Sequence, residues 1–323
     1  MPNQLAETPV ADVLPVDIAL ATTLACVWEA TAPKPGNVHR GADFEDVTYL
    51  DFIHSGVVIG PILAEASRRG VGQTVLEAVR RTRAAVATNT NLGTILLLAP
   101  LAAVPPTKAI ADGIGEVLKR LTCSDTRAVY EAIRTSAAGG LGHAPKADVF
   151  ADPPADLNLV EAMRMAADRD LVARQYAVNF ADVFGLAQAI EDGVAGGWPL
   201  MTAIVHAHMQ QLAKEPDSLI LRKCGPAVAQ QATAQAARIV DTLAPEDKDY
   251  GAALADFDFW LRSDGHRRNP GTTADLIAAG LFVLLREGRL DWKSLQQPAA
   301  AKPAESADRS SAPGLPGIIQ EAS

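Results

Sequence analysis

Cysteine is scarce in this chain. Cys26, Cys123 and Cys224 are the only three among 323 residues, and they lie roughly a hundred residues apart, a spacing that excludes a disulfide framework and a structural zinc site. They read as small buried thiols of a reducing compartment. Aromatic residues make up only 5%, and alternating β-branched stretches are few, so little material is present for sheet. Long apolar runs are missing too. The longest, residues 93–106, is too short to span a bilayer, and residues 1–15 are acidic and proline-containing where a leader would be basic and apolar. Nor is there a basic excess: a net charge of −9 excludes a general nucleic-acid or anionic-membrane surface, because either partner would be repelled at long range. These absences predict a cytoplasmic protein without nucleic-acid or membrane partners, in which a local cluster of bases or a metal must hold any phosphate. They leave the oligomeric state open.

What is present favours helix. Alanine is abundant, 48% of residues are hydrophobic and 21% charged, so we expect an all-α protein with one multi-helix globular domain. Its limits are set at residues 16–292, between a flexible N-terminus (1–15) and a disordered Pro/Ala/Ser-rich tail (293–323). Asp17 is placed to cap a helix over 17–32 and Thr48 to cap the next, where Gly56 and Gly60 on the apolar face would admit a close neighbour and Pro61 would kink the axis. Residues 73–87 form an amphipathic pattern with Arg80, Arg81 and Arg83 on a solvated face. Helices are also predicted over 107–121, 126–138, 227–243 and from about 250. Asn158 and Glu161 make a capping box for a helical run reaching 191, with Arg164–Asp168 and Asp170–Arg174 as surface pairs. His206 and His208, two apart on a helix, cannot share a metal and are read as packing or surface residues. His143, in the glycine cluster 139–142, is read as a non-catalytic loop residue.

Three polar, glycine-punctuated loops each feed an apolar helix. In the first, Pro33 and Pro35 stiffen the backbone and hold Lys34 extended. Gly36 and Gly41 allow close approach, and Asn37, His39, Arg40, Asp43 and Asp46 crowd charge and polarity nearby. The second, Thr88, Asn89, Thr90, Asn91, Leu92 and Gly93, is at the least an elaborate N-cap, and such a helix start also favours an anion. The third runs from 264 to 275 with Asn269 and Gly271, where Thr272 or Thr273 caps a helix to Glu287 and Gly288 stops it. Asp275, in the predicted first turn, either complements the helix dipole or shares a cation with a phosphate. A single loop of this kind can be a mere connector. Three in succession define one candidate site.

The stretches PKPGNVHRGAD (33–43), TNTNLGTILLL (88–98), DSLILRKCG (217–225) and NPGTTADLIA (269–278), in this order, resemble the motif set of the triphosphoribosyl-dephospho-coenzyme A synthase family over roughly residues 17–290. The resemblance implies an all-α fold, ATP as substrate and magnesium as cofactor. It implies transfer of the 5-triphosphoribosyl group of ATP to the ribose 2′-hydroxyl of dephospho-coenzyme A with release of adenine, giving the prosthetic-group precursor of citrate lyase and malonate decarboxylase acyl carriers. Breaking an N-glycosidic bond calls for carboxylates near the anomeric carbon, and Glu29, Asp43 and Asp46 are the candidates. Candidate substrate-binding residues are Lys34, Pro35, Gly36, Asn37, His39, Asn89, Thr90, Asn91, Gly93, Arg222, Lys223, Asn269, Gly271 and Thr272, and candidate magnesium ligands are Asp217 and Asp275. Two departures bear on the acceptor. Asn91 and Leu92 stand where many members carry histidine and lysine, and GGLGHAPKADV (139–149) replaces a Gly-Arg-Gly-Glu type segment. Transfer to another acceptor in cofactor biosynthesis, a magnesium-dependent N-ribosyl hydrolase and a helical scaffold therefore stand beside the main reading.

Because residues beyond about 295 lack apolar periodicity, deleting 298–323 should leave folding and activity intact. A large fall in melting temperature of the truncated chain would contradict this.

Overall fold

The computed structural model describes residues 17–86, 88–136 and 151–290. The N-terminus, the tail, His143 and segment 139–149, for which expectations were stated, lie outside the described residues. Within them the chain forms fifteen helices and one four-residue extended segment.

Asp17 Oδ1 accepts from Leu20 N at 2.8 Å and starts α1 (Ile18–Thr31), which gives way to extended backbone at Ala32, ahead of Pro33. The Thr48 N–H and Asp51 Oδ2 meet at 2.8 Å before α2 (Tyr49–Leu63). Pro61 lies inside α2, two residues before its end. The two glycines of α2 do admit a neighbour: a Cβ on Gly60 would fall 2.6 Å from Thr23 Oγ1 and 2.8 Å from Ala19 O, and one on Gly56 would fall 2.7 Å from Cys26 Cβ. After the single turn α3 (Ala66–Arg69), α4 (Val71–Ala85) buries Val75 and Val79, while Arg81 and Arg80 pair with Glu77 and Glu131. The apolar α5 (Leu92–Ala102) is followed by α6 (Ile110–Lys119) and α7 (Cys123–Ser136).

The long helix expected from Asn158 to 191 is instead three: α8 (Leu159–Ala166), α9 (Leu171–Ala177) and α10 (Ala181–Ala195). The capping box at Asn158 and Glu161 is present, but Asp170 is extended and caps α9, accepting from Val172 N at 2.9 Å and Ala173 N at 3.1 Å. Asn179 and Phe180 then take positive φ, 51° and 63°. Local propensity favours continuing the helix. The break turns the Phe180 ring into the core beside Tyr176, with centroids 5.5 Å apart, and burying an aromatic outweighs a strained backbone. The expected helical pairs go with the helix. Arg174 bridges Asp182 and Glu215, Asp170 pairs with Arg222, and Arg164–Asp168 is not among the described ion pairs.

The remaining elements are α11 (Leu200–Lys214), α12 (Ser218–Cys224), α13 (Pro226–Thr242), α14 (Tyr250–Arg262), the short β1 (Ser263–His266) and α15 (Gly271–Arg286). His206 and His208 of α11 are both packing residues, the first bonded to Tyr250 Oη at 3.0 Å and the second wholly buried. Every residue of 272–285 except Asp275 is buried, which makes α15 the axis on which α1, α5, α10 and α11 pack. A second apolar cluster joins Met209, Leu212, Ile220, Phe257 and Leu261 across α11, α12 and α14. Gly288, at φ 65°, follows the end of the last helix. The cap of α15 is Pro270, so Thr272 and Thr273 sit inside the helix and Asp275 lies beyond its first turn.

Gly60→Val should lower stability by about 1–3 kcal/mol, because α1 and α2 must separate. Gly115→Ala, where an added Cβ meets nothing within 4 Å, should gain about 0.5–1 kcal/mol. Urea midpoints check both, and equal effects would refute the close-approach assignment.

Candidate active site

A cavity of about 800 Å³ opens where the end of α1, the loop 37–47, the loop 88–91, helices α7, α8, α9 and α12, and the start of α15 converge. It gathers the three glycine loops. Of the residues singled out from sequence, Glu29, Asn37, Asp46, Asn89, Thr90, Asn91, Gly93, Arg222, Lys223, Asn269, Gly271, Thr272 and Asp275 line it. Lys34, Pro35, Gly36, His39, Asp43 and Asp217 do not.

Those six have other work. Lys34 was expected to bind phosphate, yet it is wholly buried behind the wall. Its Nζ lies 2.9 Å from Glu29 Oε1 and donates to the carbonyls of Glu29 and Ala32. A desolvated ammonium must be paired, and this one is spent on Glu29. Gly36, at φ 77°, donates its N–H to Asp258 Oδ1 at 2.7 Å; a Cβ there would meet Leu261 Cδ1 at 2.8 Å and Pro270 Cδ at 2.9 Å. Gly36 and the buried Pro35 thus seat the first loop. His39 Nδ1 accepts from Gly41 N at 3.1 Å, and Asp43 is an exposed cap that accepts from Tyr49 N at 2.6 Å. Asp217 was expected to hold magnesium. It is instead buried with both oxygens occupied, Oδ1 by Leu219 N (2.8 Å) and Ile220 N (3.1 Å), Oδ2 by Thr273 N (2.7 Å) and Thr273 Oγ1 (2.8 Å). Burial pushes its pKa up, and these four donors oppose that rise. No face is left for a metal.

The loops and helix ends around the cavity are tied to one another. Asn37 Nδ2 donates to Asn269 Oδ1 at 2.6 Å, the hydroxyls of Ser55 and Thr90 meet at 2.5 Å, and those of Ser218 and Thr272 at 3.0 Å. Asp275 lies against Gly93, where an added Cβ would fall 2.0 Å from Oδ2, and its Oδ1 accepts from Thr94 Oγ1 at 2.6 Å. Although Asp275 keeps part of its surface, burial, reinforced by the charges of Glu29 and Asp217, pushes its pKa up to about 8, with Thr94 pulling the other way. Arg222 donates to Asp170 Oδ2 at 2.8 Å. Lys223 has no ion pair among the described residues, and burial lowers its pKa against the attraction of Asp46. At the rim Phe44 stacks on His266 at 5.1 Å, and His266 Nε2 lies 3.6 Å from Asp46. A further part of the wall is apolar, from Val129, Ile133, Leu159 and Met163.

Sequence reasoning missed Arg83, Arg169, Asp170 and His266, which also line the cavity. Asp170 carried a readable signal, since it can cap a helix, and His266 lay within the third polar loop without being singled out; Arg83 and Arg169 resembled ordinary surface residues. Among the described residues no group of three or more His, Cys, Asp or Glu side chains could hold a metal, and no helix is long and apolar enough to cross a membrane.

Acids and bases gathered on one cavity inside a helical shell make this an enzyme site, and comparison with known proteins gives its class, a transferase. Residues 15–294 match the CitG family, ATP:dephospho-CoA triphosphoribosyl transferase. The chain belongs to that family. A crystal structure from Archaeoglobus fulgidus, of a protein provisionally named triphosphoribosyl-dephospho-coA synthase, is similar at 26% identity and a TM-score of 0.55, over 73% of this chain and 99% of that one. Among curated proteins nothing matches.

Between the ordinary carboxylate range and about pH 8, folded Asp275 keeps a proton that the unfolded chain releases. Stability without ligand should therefore fall as pH rises across that window. Asp275→Asn should flatten the decline. Melting curves of the two proteins from about pH 5 to about pH 9 that run parallel would refute the assignment.

Proposed function

We propose that this chain transfers the 5-triphosphoribosyl group of ATP to the 2′-hydroxyl of 3′-dephospho-CoA, releasing adenine and yielding a prosthetic-group precursor. The observation that carries the reading is the placement of Glu29 and Asp275 on one cavity with Arg222 and Lys223. The acceptor oxygen attacks C1′ of the ATP ribose, and the C1′–N9 bond breaks with its electron pair leaving on adenine. Glu29, held by Lys34, takes the hydroxyl proton; adenine gains one, and no net proton is consumed. The transition state is oxocarbenium-like, which an adjacent carboxylate stabilises. Arg222, Lys223 and the amides at the start of α5 supply charge and donors for the triphosphate, which stays on the transferred group.

Magnesium, which the family resemblance implies, fits Asp275 and not Asp217. Asp275 lines the cavity, has no ion pair among the described residues and is held near neutrality by burial, so a cation would restore its charge. Such an ion typically takes one or two carboxylates and completes its shell with substrate oxygens. Its chemistry when bound is to neutralise the triphosphate.

Incubated with magnesium, ATP and dephospho-CoA, the protein should release free adenine and an acceptor heavier by one triphosphoribosyl group, without ADP, AMP or pyrophosphate appearing in step. Glu29→Gln should lower kcat by about a hundredfold or more. Mass spectrometry decides: adenine released without acceptor indicates hydrolysis, adenine released only with other metabolites changes the acceptor, and ATP left intact and unbound refutes the reading.

A further inference from the structure

One stretch of the cavity wall has no part in the transfer chemistry. Helix α8 and the turn that closes it line the cavity with Ala162, Met165, Ala166 and Arg169. Their three- and four-residue spacing puts them on one side of the helix, and all four keep accessible surface. The charged residues of α8 itself, Glu161 and Arg164, do not line the cavity. Met165 is 50% exposed, and of the large apolar side chains exposed among the described residues it alone lines the cavity. Ile133 of the adjoining α7 adds a half-buried apolar side chain. Arg169 ends this strip. Its N–H is bonded to Ala166 O at 3.0 Å and its Nη1 donates to Met165 O at 3.3 Å, and no carboxylate pairs with it among the described residues. The next residue, Asp170, is taken by Arg222 at 2.8 Å, so the strip begins beside the cavity's charged cluster. It is also the open side. The Glu29 side chain, at the reacting end, is only 12% exposed.

We propose that this strip receives the part of the acceptor that does not react, Arg169 taking its diphosphate and Ala162, Met165 and Ala166 its pantetheine arm. The proposal rests on the transfer reading above. In dephospho-CoA the reacting hydroxyl, its ribose, the diphosphate and the arm follow in that order, so a hydroxyl held at Glu29 sends first charge and then an uncharged chain toward the open side. The wall presents the same order: Arg169, then roughly 10 Å of apolar helix back to Ala162. Methyl groups and amides make up the arm, which carries no charge. Alanine side chains leave room for it, and a methionine adapts to it. ATP has only phosphate beyond its ribose and nothing to place there.

The test is calorimetric titration of the wild type, Ala162→Phe and Arg169→Ala with dephospho-CoA, 4′-phosphopantetheine and ATP. The second ligand carries the arm and one phosphate without the nucleoside. Ala162→Phe fills the strip and should weaken both arm-bearing ligands about tenfold or more while changing ATP by less than about twofold. Arg169→Ala should weaken the same two by about tenfold, with ATP again holding. Unchanged affinity for dephospho-CoA in Ala162→Phe, or an equal loss for ATP in either variant, would overturn the proposal. Met165 is half exposed, so Met165→Ser carries the test should Ala162→Phe fail to fold, with about threefold weaker binding of the same two ligands. Adenine release is followed in parallel. Turnover without the selective loss refutes the strip and leaves the transfer reading standing, the selective loss without any adenine release refutes the transfer alone, and a wild type that binds ATP but not dephospho-CoA refutes both.

Discussion

A buried carboxylate in an apolar interior survives only if every lone pair is met, and Asp217 meets this demand by reaching across two elements at once. One oxygen caps α12 and the other takes the N–H and hydroxyl of Thr273 in α15. The cost of leaving either oxygen bare fixes the two helix starts against each other. From that junction follow the positions of Arg222 and Lys223, carried at the end of α12, and of Asp275, carried one turn into α15. The acid and the bases of the cavity are thus set by a residue that never touches it. The apolar length of α15 does the rest, since a helix buried almost throughout leaves its neighbours one axis to pack on.

Much of this was legible in the sequence because it is written in local chemistry. Asp17, Thr48 and Asn158 announce helix starts through side chains that bond the next turn, and Gly56 and Gly60 announce a close helix contact through what they lack. The three polar glycine loops are recognisable for the same reason, and they do converge on one cavity. What was not legible depends on partners far along the chain. The break at Asn179 and Phe180 follows from where an aromatic ring is needed in the core, which propensity in a window of residues cannot report. Asp217 and Lys34 were misread as ligands because a charged residue in a glycine-rich motif looks solvent-facing until its burial is known.

The division of labour among carboxylates has the same origin. Glu29, Asp43, Asp46, Asp217 and Asp275 are equivalent on paper, and environment alone separates them: an exposed helix cap, a rim acid beside a histidine, a buried strut, and two cavity acids of which one meets a lysine and the other a threonine. A sequence motif names the set, whereas the distribution of roles is a matter of dielectric and donors.

The Lys34–Glu29 pair also bears on motion. Moving the loop around Lys34 would pull the ammonium away from the Glu29 carboxylate and from the two carbonyls it donates to, leaving those acceptors bare at the end of α1. The start of this loop is therefore fastened to the helix that precedes it. The wall that carries Glu29 is thereby tied to the core behind it.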